Sequence, residues 1–346
     1  MKAVRFQGAG RPPLVTEVAR PKVAPGQVLV KIGGAGVCHS DLHILDHELG
    51  LPAPFTLGHE NAGWVSELGE GVTGFKEGDA VAVYLLWGCG HCHACQQSME
   101  NYCENWARMG GDGGGLGHDG GMADYMLVPA ARFLVPLGDL DPREAAPLTD
   151  AALTPYHAIK RVLPMLHADS NVVLLGIGGL GHMAVQLLRL LSPARIIAGD
   201  VDPAKLEQAR SLGADHAVDT ADVDAAAEEI LKITGPRGAG VVLDCVGVQP
   251  TFDLAARLLR RNSAWVVIGL GGGHHDFTWG STPYGTTLTL PYGGSRLELM
   301  ELVAMARLGR IRAETTAYPL DQAVEVFAKL RAGEVRGRAV LTPQLA

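Results

Sequence analysis

The run Val172-Val173-Leu174-Leu175-Gly176-Ile177-Gly178-Gly179-Leu180-Gly181 decides the reading of the second half of this chain. Four apolar residues suited to a buried strand lead without a break into G-x-G-x-x-G, and a helix-like apolar pattern continues to Leu191. Gly176 permits the tight turn, Gly178 lets the backbone approach a pyrophosphate, and Gly181 allows close helix–strand packing. Gly179 and Leu180 share that turn, where unpaired N–H groups and the positive helix end attract phosphate. A second strand pattern ends at Asp200, nineteen residues past Gly181. A carboxylate there accepts from ribose hydroxyls and repels a 2′-phosphate, so NAD is favoured over NADP. Asp202 and Lys205 lie at the same strand end, and Lys205 is grouped with the cofactor contacts. A glycine turn serving another ligand is the plainer alternative. The strand, the helix and the terminal acid together weigh against it.

Outward from this turn, apolar strand-like runs alternate with helix-like ones. Residues 171–175, 195–199, 217–219, 241–246 and 265–269 read as strands. Helix-like segments cover 203–212, 223–233 and 250–261. Continuous apolar strands between helices signal a parallel sheet covered on both faces, so the fold class is α/β with a doubly wound domain over residues 151–290. Residues 1–150 differ. They carry short strand-like runs at 27–32, 63–67 and 80–84, separated by glycine and proline turns, and predict a small, mainly β domain. The glycine-loaded stretch 110–121 reads as a loop. Near the end, Ser295 and Glu298 fit a capping box opening a helix whose apolar face includes Met300, Val303 and Leu308. A second helix is predicted over 321–331.

At 346 residues the chain is too long for one comfortable core, which agrees with two domains. With 29 basic and 37 acidic residues the net charge is −8, which argues against a nucleic-acid partner. No apolar run is long enough for a signal peptide or a membrane span, so no membrane partner and a cytoplasmic location are expected.

Four of the six cysteines, Cys89, Cys92, Cys95 and Cys103, form C-x2-C-x2-C-x7-C. Four thiolates satisfy tetrahedral zinc and leave no position open, so this site is structural. A redox C-x-x-C is the alternative, which overlapping pairs plus a fourth thiol fit less well. Cys38, in residues 36–43 (GVCHSDLH), and His59, in Gly58-His59-Glu60, say little alone. A single buried cysteine packs as a small hydrophobe, and a lone histidine is more often a core residue.

Together, residues 36–41, Gly58-His59-Glu60, the cysteine loop and the glycine turn resemble the zinc-containing medium-chain alcohol dehydrogenases. The likeness runs over the whole chain. Through residues 147–157 it is nearest to bacterial secondary-alcohol dehydrogenases. It implies a GroES-like catalytic domain over 1–150, completed by 291–346, beside the cofactor domain. It also implies two zincs per chain, the second bound by Cys38, His59 and Asp150 with one coordination position open. Glu60 resembles a carboxylate that approaches the metal during ligand exchange, and Asp41 an acid that orients His59. Ser40 would take the alcohol proton and His43 pass it on. His39, Thr154, Cys245, Val246, Ile268, Gly269 and Leu270 would touch the cofactor, and Arg338, or equally Arg336, its pyrophosphate.

The implied activity is hydride transfer between NAD and a secondary or bulky alcohol and its ketone, or an aldehyde pair. A glycine at position 293, where relatives often carry a large aromatic, implies an enlarged pocket, and Tyr84, Trp87 and Tyr292 are candidate pocket residues. A zinc-dependent polyol or amino-alcohol dehydrogenase is the nearest rival. A catalytically inactive zinc- and nucleotide-binding protein is a rival of another class. The resemblance also implies a homo-dimer or homo-tetramer, with an exposed strand at 286–290 as a pairing edge.

Overall fold

A computed structural model describes residues 1–343; the last three residues of the segment expected to complete the first domain lie outside them. The chain forms two compact units, Met1–Leu153 with Gly293–Ala346, and Thr154–Tyr292.

The first unit is built on a long strand, Val28–Gly36, whose apolar residues are almost all buried. It pairs antiparallel with Glu60–Leu68, with Tyr125–Val128 and with Arg338–Thr342. Ala80–Val83 and Leu134–Pro136 extend the sheet on one side, and Thr315–Pro319 on the other. Lys2–Phe6 carries a smaller sheet with Leu14–Glu17 and Phe55–Thr56. The register decides the site. Gly36 stands opposite Glu60 on one neighbour and Val340 on the other, so chain leaving this strand meets His59, Glu60 and Arg338 at one end.

The second unit holds six parallel strands. Their order is His216–Asp219, Arg195–Asp200, Asn171–Leu175, Ala239–Asp244, Leu259–Val267 and Thr287–Thr289. In chain numbering this is 3-2-1-4-5-6, the doubly wound order whose direction reverses between the first and fourth strands. Helices Gly181–Leu191, Pro203–Ser211, Val223–Thr234 and Gln249–Leu258 connect them. Asp202 and Asp222 cap two of these helices through their carboxylates.

Several local expectations differ from the structure. The strand over 241–246 stops at Asp244, because Asp244 Oδ1 accepts from Val246 N and Gly247 N and turns the chain. The helix over 250–261 ends at Leu258, and Leu259 already belongs to the next strand. The stretch 110–121 contains two short paired strands, Gly113–Gly114 and Gly117–His118.

The capping box at Ser295 and Glu298 forms and opens Arg296–Arg307, but its apolar face is phased differently. Leu299, Leu302 and Val303 are buried, at spacing i, i+3, i+4, while Met300 is 43% and Leu308 74% exposed. Leu302→Ala is therefore expected to cost about 2–5 kcal/mol in urea unfolding. Met300→Ala should cost less than about 0.5 kcal/mol. Equal losses for the two variants would contradict this phasing.

Candidate metal centres and cofactor turn

The four cysteines of the loop after Ala80–Val83 converge. Their sulfurs lie within 4.8 Å of one another, with Cys89–Cys95 and Cys92–Cys103 at 3.9 Å. A tetrahedral zinc with Zn–S bonds of about 2.3 Å separates its sulfurs by about 3.8 Å, so the cage has the right size. Cys89 N donates to Cys103 Sγ, and Cys92 N and Asn105 Nδ2 donate to Cys89 Sγ, each at 3.3 Å. The Asn105 donor is the largest influence lowering Cys89, to about 5. Burial pushes Cys95 and Cys103 upward. A cation is what allows four such thiols to be thiolates together. All six cysteines of the chain are unbridged.

The second cluster sits where the register brings three strands together. Leaving the central strand, the chain places Cys38 at the N-cap of helix His39–Asp46, and Asp41 Oδ2 accepts from Cys38 N at 2.9 Å. Asp150 follows the single turn Ala146–Thr149. Cys38 Sγ lies 3.5 Å from Asp150 Oδ2, and His59 Nε2 lies 3.4 Å from the same oxygen. His59 Nδ1 is 3.2 Å from Asp41 Oδ1. Cys38, His59, Glu60 and Asp150 offer ligand atoms within 4.8 Å of one another, and all four are buried. A sulfur, an imidazole nitrogen and carboxylate oxygen form a donor set suited to zinc.

Arg338 completes the cluster. Its Nε donates to Glu60 Oε2 at 2.9 Å, its Nη2 donates to Glu60 Oε1, and Nη2 lies 3.4 Å from Asp150 Oδ2. Ala151 N donates to Glu60 Oε1 at 3.0 Å. The fork needs space, and Gly36 supplies it: a Cβ there would fall 1.8 Å from Glu60 Oε2. Burial pushes Glu60 up to about 7 against the downward pull of the Arg338 guanidinium. Burial disfavours charge on His59, but Asp41 and Asp150 outweigh it and raise its pKa. Two acids drawing positive charge onto His59 make a pocket that a cation at Nε2 would satisfy in place of the proton.

The resemblance places Arg338 or Arg336 at the cofactor's pyrophosphate. Here the Arg338 side chain is only 3% exposed and is committed to Glu60 and Asp150. Two candidate pocket residues are buried. Tyr84 is fully buried and donates its hydroxyl to Gly294 O at 2.6 Å, while Trp87 stacks on His118 and Phe133 and donates to Tyr84 O. Gly293 does not open space either. A Cβ there would meet Leu86 Cδ1 at 2.6 Å, so Leu86 fills the room that the missing side chain leaves.

Ser40 and His43 lie one turn apart on helix His39–Asp46, with Ser40 Oγ 3.6 Å from Cys38 Sγ. His39 is exposed and His43 half-buried. His43 stacks against His47 with ring centroids 5.9 Å apart. Thr154 is buried at the start of the second unit.

In that unit the expected cofactor residues gather beyond the carboxyl ends of adjacent strands. A Cβ at Gly176 would lie 2.3 Å from Val246 Cγ2, and one at Gly181 would lie 1.9 Å from Gly176 O. Gly178, in contrast, faces open space. Ile268 N and Gly269 N donate to Asp244 O, which ties the Cys245–Val246 turn to the segment ending at Leu270. Asp200 Oδ2 accepts from Ile177 N at 2.7 Å and Oδ1 from Asp202 N at 3.0 Å. Each oxygen keeps a lone pair for a ribose hydroxyl. Lys205 lies in the first turn of the following helix.

Comparison with known proteins agrees with this arrangement. The family described as Alcohol dehydrogenase GroES-like domain matches residues 24–139, and that described as Zinc-binding dehydrogenase matches residues 179–300. The chain is 33% identical to a NAD-dependent alcohol dehydrogenase of Sulfurisphaera tokodaii, over 99% of this chain and 100% of that one. It is 34% identical to a D-arabinose 1-dehydrogenase (NADP(+)) of Saccharolobus solfataricus, over 99% of this chain and 97% of that one. The solved alcohol dehydrogenase of Aeropyrum pernix superposes with a TM-score of 0.92 at 37% identity, covering 99% of this chain and 100% of that one. With its sheet orders, its cysteine cage and its buried cysteine–histidine–aspartate cluster, the chain belongs to the zinc-containing medium-chain alcohol dehydrogenases, the NAD-dependent enzymes that interconvert alcohols with ketones or aldehydes.

Proposed function

We propose that this enzyme holds two zinc ions per chain and acts on a secondary alcohol and its ketone with NAD. The observation that carries the reading is the buried convergence of Cys38 Sγ, His59 Nε2 and Asp150 Oδ2, with Ser40 Oγ beside the thiol. Cys38, His59 and Asp150 would hold the reactive zinc, and Cys89, Cys92, Cys95 and Cys103 the structural one. Bound there, zinc would supply the Lewis acidity that brings an alcohol's pKa toward neutrality, and NAD would accept the hydride. The donor chemistry favours this set, because a thiol, an imidazole nitrogen and a carboxylate oxygen suited to zinc converge in a buried site.

The chain's own residues do the rest. Asp41 holds the His59 ring so that Nε2 points to Cys38 and Asp150. Glu60, held by Arg338 and Ala151 N, is a carboxylate kept in reserve beside the three ligands. Ser40 accepts a hydrogen bond from the substrate hydroxyl, and His43 is the base that takes the proton onward. Burial and then the charge of His47 lower the His43 pKa, with Asp46 pulling it up, so His43 stays neutral, and a base, to lower pH.

The turn formed by Gly176, Gly178, Gly179, Leu180 and Gly181 would receive the pyrophosphate, and Asp200 the adenosine ribose. The same reading assigns further cofactor contacts to His39, Thr154, Lys205, Cys245, Val246, Ile268, Gly269 and Leu270. A homo-oligomer paired through the edge strand Thr287–Thr289 is part of it, supported by exposed Leu288 and Leu290. So is a cytoplasmic setting, which suits a cage of unbridged thiols. Among the described residues no helix is long and apolar enough to cross a membrane.

Five outcomes test this. With NAD, a panel of secondary alcohols, primary alcohols, sugar alcohols and amino alcohols should give the highest kcat/KM on a simple secondary alcohol; preference for a sugar alcohol or amino alcohol would make it a polyol or amino-alcohol enzyme instead. Asp150→Ala should lose one of two zincs and nearly all turnover while keeping its far-UV spectrum. Retained turnover would remove Asp150 from the ligand set. His47→Gln should let His43 keep its proton to higher pH, moving the acidic limb of the kcat/KM profile upward. An unmoved limb would place the relay elsewhere. Sedimentation at the monomer mass would rule out the paired edge, and activity recovered outside the cytoplasmic fraction the location.

A further inference from the structure

We propose that the glycine-rich stretch at 113–121, together with Asn61, is a backbone brace that fixes Gly58 and His59 and so sets where the His59 imidazole stands. The proposal rests on His59 being a ligand of the reactive zinc.

Glycine costs a folded chain more conformational entropy than any other residue, so a cluster of them needs a structural return. Here the return is close approach. A Cβ at Gly115 would lie 2.4 Å from the Gly58 carbonyl carbon and oxygen and 2.8 Å from His59 N. One at Gly120 would lie 2.2 Å from Gly58 O, and one at Gly121 would lie 2.1 Å from Asn61 Oδ1. The opposite side is equally tight, since a Cβ at Gly113 would fall 1.9 Å from Leu85 O. The stretch is thus a layer one backbone thick, wedged between the chain that leads to Cys89 and the segment that carries His59.

Hydrogen bonds hold both faces of this layer. Trp87 N donates to Asp112 O at 2.6 Å on the side of the cysteine cage. On the other side Gly120 N donates to Thr56 O at 2.8 Å, Gly121 N to Gly58 O at 3.0 Å and Met122 N to Leu57 O at 2.9 Å. Asn61 Nδ2 adds a second donor to Gly58 O at 2.9 Å. The backbone that carries His59 is therefore clamped while Asp41 and Asp150 hold its ring. A metal ligand must sit within about 0.5 Å of its working position, which is what such a clamp secures.

Gly115→Ala tests this against a matched control. Gly110 has the same φ of +78° as Gly115, but the nearest atom to its Cβ position is His118 Cε1 at 3.9 Å. Gly110→Ala therefore reports backbone strain alone. Zinc per chain is followed during dialysis of the holoenzyme against a chelator, beside kcat/KM. Gly115→Ala is expected to speed loss of one of the two zincs and to lower kcat/KM, each by about tenfold or more, the size seen when a ligand's support is removed. Gly110→Ala should leave both unchanged. Identical behaviour of the two variants would overturn the brace. If Gly115→Ala does not fold, Asn61→Ala decides, because it removes a donor to Gly58 O without adding bulk. Faster zinc loss supports the brace, and an unchanged rate overturns it. His59→Ala checks the underlying reading separately: retention of both zincs there would reject His59 as a ligand, whatever the glycine variants do.

Discussion

Cys38, Asp41, Glu60 and Asp150 can all carry negative charge, and all are buried at one end of the central strand. Such a group is unstable in a protein interior unless it is answered by cations and hydrogen bonds. Arg338 answers part of it through its fork onto Glu60, and His59 another part through Asp41 and Asp150. A metal ion held by Cys38, His59 and Asp150, as proposed, would add a further cation to the same group. This balance is arranged by strand register: a shift of one residue would separate Gly36 from Glu60 and carry Arg338 out of reach.

Much of the molecule was legible because its signals are local. The strand, turn and helix around Gly176 are contiguous, and Asn171–Leu175 and Gly181–Leu191 form where the pattern places them. The four cysteines announce a cage by spacing alone. Asp150 is a different matter: only the resemblance of residues 147–157 to a family singled it out, and nothing in its own neighbourhood marks it as a partner of Cys38.

What was not legible is long-range or depends on close approach. Arg338 stands 278 positions from Glu60 along the chain, and no periodicity links them. The phase of Arg296–Arg307 is not readable from composition, because Met300 and Leu308 are as apolar as Leu299 and Leu302; only the packing distinguishes them. At Gly293 the sequence implies open space, and only the fold shows that Leu86 occupies it. The glycine stretch at 110–121 showed that a loop was present but not what it touches. Glycine's missing side chain makes sense only once the neighbouring backbone is known.

Each unit keeps to one task. The first gathers the cysteine cage and the buried cysteine–histidine–aspartate cluster on one antiparallel sheet, while the second presents a glycine turn and an acid at the carboxyl ends of adjacent parallel strands. The claim on which everything else rests is the ligand set of the reactive zinc. Diffraction from crystals of the holoenzyme at the zinc absorption edge tests it directly. The expected anomalous map has two peaks per chain, one among the four cysteine sulfurs and one about 2.0–2.3 Å from Cys38 Sγ, His59 Nε2 and an Asp150 oxygen. A single peak at the cysteine cage, or a second peak away from Asp150, would contradict the account.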